Sequence, residues 1–125
     1  MLSGGDRRQA ALQLQPLLQA GQLEAAQQAV LQVKAAVPLL DYLQALIAAT
    51  RSGSWFRQGL SPRAGMAVLR AAKARALMAE RDYVAPDDVQ AILPQTIAHR
   101  LQPVTGAGRG AIEQVRAMIE ATAIP

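Results

Sequence analysis

The apolar residues of this chain recur at intervals of three and four over most of its length, which is the spacing of one face of an α-helix. One clear stretch has its apolar residues at Leu23, Ala26, Val30 and Val33. Glutamine and lysine fill the opposite face of that stretch, so the pattern predicts an amphipathic helix over 22–35. A short helix over 7–13 precedes it and ends before Pro16, which has no backbone N–H to donate.

A broader apolar surface follows Pro38, a residue that suits the first turn of a helix. Its large side chains are Leu39, Leu40, Tyr42, Leu43, Leu46 and Ile47. So wide a surface predicts the central helix of a bundle, ending near Arg51, where Ser-Gly-Ser follows. The next loop, 52–60, carries Trp55 and Phe56, which either plug the end of the bundle or dock on a partner.

Ser61 and Pro62 mark the start of the following helix. A serine hydroxyl caps free N–H groups, and proline loses no hydrogen bond at the first helical position. The helix is rich in alanine and is predicted to run to about Arg81. Its small residues permit close approach of neighbouring helices.

The residues after this helix predict a very short extended pair at 83–84 and then another helix, which starts at Pro86. Asp87 and Asp88 face the positive end of the new helix dipole. We interpret them as capping residues and not as a catalytic pair, because adjacent helical positions do not face each other.

Two features mark the second half of that helix. Pro94 predicts a kink, or two helices that meet near Leu93. His99 and Arg100 lie near its end, where both can serve unpaired carbonyl groups.

The C-terminal part combines a glycine-rich segment with one more helix. The segment, 104–110, lacks the GK[ST] ending of a phosphate-binding loop and is interpreted as a flexible linker. Apolar spacing predicts a last helix over 111–122 that packs back on the bundle. We therefore expect three parts: an N-terminal segment (1–20), a helical domain (21–103), and the linker with its helix (104–125).

Composition supports an all-α fold, a small helical bundle of about five to six helices. The chain is 51% apolar but only 3% aromatic, and its sparse β-branched residues do not suit several strands. It has no cysteine and one histidine, which excludes a disulfide framework, a thiolate metal site and a complete hydrolytic triad. The net charge of +4 permits contact with nucleic acid but does not require it.

The hydropathy pattern gives no reason to expect a membrane protein. No apolar run approaches the roughly 20 residues that cross a bilayer, and the opening MLSGGDRRQ lacks the hydrophobic segment of a signal peptide. We expect a soluble, cytoplasmic protein. The glycine pair and charged cluster that precede any core-forming pattern suggest a piece excised from a longer chain.

Arg63 is the main candidate binding residue. It lies beside the positive end of the helix that Ser61 and Pro62 begin, where unpaired N–H groups also point outward. A cation is disfavoured there unless an anion meets it, so the arrangement is typical of half of a phosphate or carboxylate site. The alternative is a solvated arginine, or one paired with a nearby acid.

Two further interpretations stay open. Arg63, Arg70 and Arg81 fall nearly on one line of the predicted helix, which would suit a stand-alone nucleic-acid-binding module or a merely solvated face. Trp55 and Phe56 would instead suit a protein-interaction module.

Three blocks resemble the C-terminal part of MoxR-type AAA+ ATPases, beyond the nucleotide-binding core. They are LLDYLQALIAATR (39–51), GLSPRAGMAVLRAAKARALMAERDYVAPDDVQAI (59–92) and AHRL (98–101). The opening residues, the helix around 22–33 and the closing AIEQVRAMIEATAIP fit the same order, so the resemblance covers nearly the whole chain.

The resemblance implies a helical lid that covers the nucleotide in an oligomeric, usually hexameric, ring. Arg63 matches the sensor-2 arginine, which reaches the γ-phosphate of ATP. ATP and magnesium would bind the full-length protein, because this chain has no Walker A, Walker B, sensor-1 or arginine-finger sequence. The implied partners are the AAA+ core of the same chain, the neighbouring ring subunit and a von Willebrand A-type protein. Nucleic acid is not an expected partner of such a lid, and the chain alone should not hydrolyse ATP.

Overall fold

A computed structural model describes residues 2–104, 108 and 110–125. Within these residues the chain forms six α-helices and no β-strand, which confirms the predicted all-α bundle. The helices are α1 (Leu2–Gln13), α2 (Gln22–Gln32), α3 (Val37–Arg51), α4 (Pro62–Met78), α5 (Pro86–Ile97) and α6 (Ala111–Ala121). A single 3₁₀ turn, Ala98–Arg100, follows α5 directly.

The core lies where α4 packs along α5, with α3 and α6 closing its sides. On α4 the fully buried residues are Val68, Ala72 and Ala76. Two alanines at this contact allow α5 to approach closely, and α5 places Val89, Leu93 and Ile97 against them. α6 packs on α5, on the 3₁₀ turn and on α3. The bundle is therefore built around the helix that carries Arg63.

The two N-terminal helices contribute less to the core. Helix α1 starts at Leu2, earlier than the predicted residue 7, and packs against no other helix in the described part of the chain. Helix α2 contacts α4 but leaves none of its residues fully buried. It ends at Gln32, short of the predicted residue 35, and Val33 turns into extended backbone.

Helix α4 ends at Met78, about three residues before the predicted end near Arg81. Glu80 has a φ of 60°, a left-handed conformation that cannot continue an α-helix. The amide of Arg81 then bonds back to the carbonyl of Ala76 at 2.9 Å, which satisfies one of the free carbonyls at the helix end.

The predicted extended pair at 83–84 is present as an isolated bridge. Tyr83 pairs in parallel with Lys34, which follows α2. The amide of Lys34 donates to Asp82 at 2.8 Å, and the amide of Val84 donates to Lys34 at 2.9 Å. This bridge ties the end of α2 to the connection between α4 and α5.

Pro94 does not divide its helix in two. Helix α5 runs from Pro86 through Pro94 to Ile97 and tightens into the 3₁₀ turn only at Ala98. Proline removes one N–H donor, while its own carbonyl still accepts from the amide of Ala98. The sequence left open whether Pro94 kinks one helix or separates two helices that meet near Leu93. The second of these alternatives is therefore wrong.

The predicted three-part division of the chain stays a prediction. Most of the predicted linker, residues 105–107 and 109, lies outside the described residues.

Candidate functional site

The candidate site is the start of α4. Ser61 is in extended conformation, and its hydroxyl accepts a hydrogen bond from the amide of Ala64 at 3.3 Å. Pro62 occupies the first helical position, as the sequence predicts. The second helical position is Arg63.

Arg63 is exposed and forms no hydrogen bond or ion pair with the residues that the structure describes. The first turn of α4 has no acidic residue, and the sequence of α4 has none at all. A guanidinium therefore stands at the positive end of a 17-residue helix without a counter-charge from its own helix. Such a group can meet a phosphate or a carboxylate brought by another part of the protein or by a ligand.

An apolar cavity of about 510 Å³ adjoins this helix start. It lies between α3 and α4, and Leu43, Ile47 and Leu69 form part of its lining. Pro62 and Arg51 also line it, so the cavity reaches the residue next to Arg63.

Hydrogen bonds fasten the connection from α3 to α4 both at its centre and at its end. At its centre, the carbonyl of Trp55 accepts from the amide of Val104 at 3.1 Å and from the side chain of Gln114 at 3.0 Å. At its end, the carbonyl of Leu60 accepts from Nε of Arg51 at 2.7 Å. The chain that leads into α4 is thus held by α6 on one side and by α3 on the other.

Only two of the three arginines predicted to lie on one line of this helix, Arg63 and Arg70, are on α4. Arg81 is not on α4, because the helix ends at Met78. Its guanidinium instead binds Asp88, with Nη2 at 2.6 Å from Oδ1 and Nη1 at 2.7 Å from Oδ2. Arg63 and Arg70 remain as exposed cations on the helix.

Asp88 is the only fully buried acid among the described residues, and it collects four hydrogen bonds. Besides the two from Arg81, Nη1 of Arg75 donates at 2.7 Å and the amide of Ala85 donates at 2.8 Å. The hydrogen bonds from Arg81 lower the pKa of Asp88 to about 2, with Ala85 and Arg75 adding to the effect against the opposing influence of burial.

The predicted capping role of Asp88 is confirmed by its bond to the Ala85 amide, whereas its two arginine partners were not predicted. Asp87 is exposed. The signal for the ion pairs is weak in the sequence, because Arg75 and Arg81 come from the preceding helix and from a turn whose geometry depends on Glu80.

The remaining candidate residues are the two loop aromatics and the histidine near the end of α5. Phe56 is fully buried and belongs to the core, and half-buried Trp55 packs against that core. His99 is exposed and accepts from Nε of Arg100 at 3.4 Å, so this pair does not serve the helix carbonyls as predicted. In the described part of the chain, no three His, Cys, Asp or Glu residues are grouped as a metal site would require.

Comparison with known proteins gives a family match. The model of the AAA lid domain matches residues 48–121. The chain is 39% identical over 75 residues to the uncharacterized protein YeaC of Bacillus subtilis, a match covering 60% of this chain and 23% of YeaC. It is 39% identical over 72 residues to Chaperone MoxR1 of Mycobacterium tuberculosis, covering 50% of this chain and 19% of that relative.

A solved structure has the same fold over most of the chain. It is the crystal structure of a candidate ATPase from Cytophaga hutchinsonii, with a TM-score of 0.71 and 25% sequence identity. The match covers 78% of this chain and 33% of that one. The chain therefore spans about a fifth of the curated relatives and a third of the solved structure. No described helix is both long and apolar enough to cross a bilayer.

Proposed function

Because the chain belongs to the AAA lid domain family, we propose that it is the lid of a MoxR-like AAA+ ATPase and that Arg63 is its nucleotide-sensing residue. The single observation that carries this role is the exposed guanidinium of Arg63, which has no partner in the described structure and stands at the N-terminus of α4. In this role the guanidinium reaches the γ-phosphate of ATP that is bound to an AAA+ core.

The chemistry of such a contact follows from the geometry of the side chain. A guanidinium presents several N–H donors in one plane and matches the oxygens of a phosphoryl group. It stabilises the charge of the transferred group, and it links the state of the nucleotide to the orientation of the lid. Hydrolysis of ATP then changes what the lid contacts, which couples the reaction to movement.

The other half of the site comes from the core. ATP and its magnesium ion bind there, since the sequence of this chain contains no phosphate-binding loop and no Walker B acids. We expect no ATP turnover by the chain alone. The proposed partners are the core of the same polypeptide and the neighbouring subunit of a ring, in a cytoplasmic protein.

We further propose that the complete protein performs chaperone-like remodelling or assembly of partner complexes, with a von Willebrand A-type protein as one candidate partner. Support for the first part is the name of the relative Chaperone MoxR1. The stand-alone nucleic-acid alternative is less well supported, because Arg81 is bound to Asp88 and is not on the line of Arg63 and Arg70.

The test is the variant Arg63→Ala in the complete ATPase, core and lid together. We expect the fold to be unchanged, because Arg63 is exposed, and ATP turnover to fall by at least about tenfold because a cation is lost from the phosphoryl group. Arg70→Ala is the matched control, as it removes an exposed arginine from the same helix two turns further on. Turnover that is equal in the two variants and in the parent would reject the proposed role.

A further inference from the structure

We propose that Thr50 and Arg51, the last two residues of α3, are positioning residues for Arg63. They hold the backbone of Leu60, three residues before Arg63, and so fix where α4 begins relative to α3. This inference rests on the proposed function of Arg63. It concerns groups that act on Arg63 through the backbone of Leu60.

Both backbone polar groups of Leu60 are bound by this pair. Nε of Arg51 donates to the carbonyl of Leu60 at 2.7 Å. The amide of Leu60 donates to the hydroxyl oxygen of Thr50 at 3.1 Å. Thr50 is fully buried, and its hydroxyl donates in turn to the carbonyl of Ile47 at 2.5 Å. The hydroxyl thus donates to α3 and accepts from the residue that leads into α4.

Gly59 shows how closely the loop lies against α3. A Cβ added at Gly59 would stand 2.7 Å from Cα of Arg51 and 2.2 Å from its Cγ, far inside van der Waals contact. The side chain of Leu60 is itself 4% exposed and packs in the core. Residues 59 and 60 are therefore fixed by backbone contact, by two hydrogen bonds and by a buried side chain.

Little conformational freedom remains between Leu60 and Arg63. The hydroxyl of Ser61 is bound to the amide of Ala64, which sets the backbone of the cap. The ring of Pro62 fixes its φ. The position of the Arg63 backbone thus follows from the position of Leu60.

This dependence matters because the helix start that carries Arg63 is held on its N-terminal side through Leu60, in addition to the packing of α4 in the core. The guanidinium of Arg63 forms no hydrogen bond or ion pair with the described residues that would orient it. A charged group must lie within about 1 Å of its productive position to be effective. The two bonds at Leu60 provide that precision through the backbone.

The first experiment measures amide signals of the isotopically labelled 125-residue chain by NMR. In Thr50→Val, which keeps the shape of threonine without its hydroxyl, hydrogen exchange of the Leu60 amide should accelerate about tenfold. The amide signals of residues 60, 61 and 63–65 should move while those of α6 stay in place. Thr50→Ser keeps the hydroxyl and should restore the parent pattern.

Arg51→Met provides a second variant in case buried Thr50 does not tolerate valine. Methionine keeps an unbranched stem beside Gly59 but has no N–H for the Leu60 carbonyl, so the same signals should move. Arg70→Met is the matched control on an exposed arginine. Amide signals of residues 60, 61 and 63–65 that stay unchanged in Arg51→Met would overturn the inference, as would a Thr50→Ser variant as altered as Thr50→Val.

The second experiment compares ATP turnover in the complete protein. Arg51→Met should reduce turnover about tenfold when Arg63 is present and have no further effect in the Arg63→Ala background, as expected for residues that act through one another. If Arg63→Ala slows turnover and Arg51→Met does not, the positioning role is wrong and the proposed function stands. If Arg63→Ala leaves turnover unchanged, the proposed function fails and the positioning role fails with it.

Discussion

At the scale of single residues, Asp88 shows how the end of α4 is joined to the start of α5. Its carboxylate accepts from Arg75 near the end of α4, from Arg81 in the following turn and from the first amide before α5. A buried carboxylate is stable only when its oxygens are bound in this way. Asp88 therefore fixes the corner between the helix that carries Arg63 and the helix that packs along it.

The Asp88→Asn variant should lower the free energy of unfolding by about 2 kcal/mol at pH 7. An amide keeps the volume but loses the charge that faces two arginines. The cost is below that of a wholly buried pair, because the side chain of Arg75 is 42% exposed and can turn to solvent. Urea unfolding measures the difference, and the exposed neighbour gives the control, Asp87→Asn, with an expected change below about 0.5 kcal/mol.

The contribution of Asp88 should also depend on pH. Its pKa is about 2 in the folded chain, against an ordinary value of 3.8. Since the unfolded chain takes up the proton first, the stabilisation is complete above about pH 4 and is lost as the pH falls through about 2. The difference between the parent and Asp88→Asn should therefore shrink at pH 2, and a difference that stays constant from pH 7 to pH 2 would contradict this account.

The residues whose role could be predicted from the sequence are those whose role is local. Ser61 and Pro62 begin α4, and Asp88 caps α5, because capping depends on neighbours a few positions away. Arg81 could not be placed in this way, because α4 ends at Met78 and does not continue to it. The pairing of Arg81 depends on the left-handed turn at Glu80, a conformation that glutamate seldom adopts and that the sequence therefore did not indicate.

At the scale of the helices, the end of α4 is a point of conformational strain. Glu80 has a φ of 60°, in the region that glycine adopts without cost. The turn is nevertheless well defined, because the amide of Glu80 bonds to Leu77 at 2.9 Å and that of Arg81 to Ala76 at 2.9 Å. The hydrogen bonds of the turn and the ion pair of Arg81 offset the strain.

Replacing Glu80 by glycine should therefore stabilise the chain, by about 0.5–1 kcal/mol. Thermal unfolding followed by circular dichroism measures this effect. Glu113→Gly, the same substitution in the exposed first turn of α6, should instead be neutral or destabilising. A loss of stability in Glu80→Gly would contradict this account, because it would mean that the relief of strain is smaller than the backbone entropy that glycine loses on folding.

Helix boundaries were predicted within a few residues where proline or serine marks them, as at α3, α4 and α5. The predicted boundaries were less accurate where tertiary contacts determine the end of a helix. Helix α2 ends early because Lys34 leaves the helix to pair with Tyr83, a contact across 49 residues of sequence. Pro94 fits within α5 because the loss of one hydrogen bond is small beside the burial of that helix against α4 and α6.

At the scale of the whole molecule, the bundle is organised around α4. The helix is buried along one side by α5 and presents Arg63 at its exposed start. The all-α class was predictable from composition and spacing. The residues that support the start of α4 were not predictable. The side chains of Thr50 and Arg51 bind the Leu60 backbone, and Gly59 lies against Arg51, and such contacts leave no periodic pattern in the sequence.

The chain spans about a fifth of the relatives that it matches. This proportion fits the proposal that the nucleotide lies between the lid and a core outside the present chain. In that arrangement the lid supplies one cation, the guanidinium of Arg63. This cation contributes to ATP binding and turnover only if it contacts the γ-phosphate. ADP lacks this phosphate and therefore cannot make the contact.

The most direct measurement is the ratio of ATP to ADP affinity in the complete ATPase, with and without Arg63. Arg63→Ala should weaken ATP binding about tenfold and leave ADP binding unchanged, while Arg70→Ala should change neither. If Arg63→Ala weakens ATP and ADP equally, or weakens neither, Arg63 does not contact the γ-phosphate and the central claim is wrong.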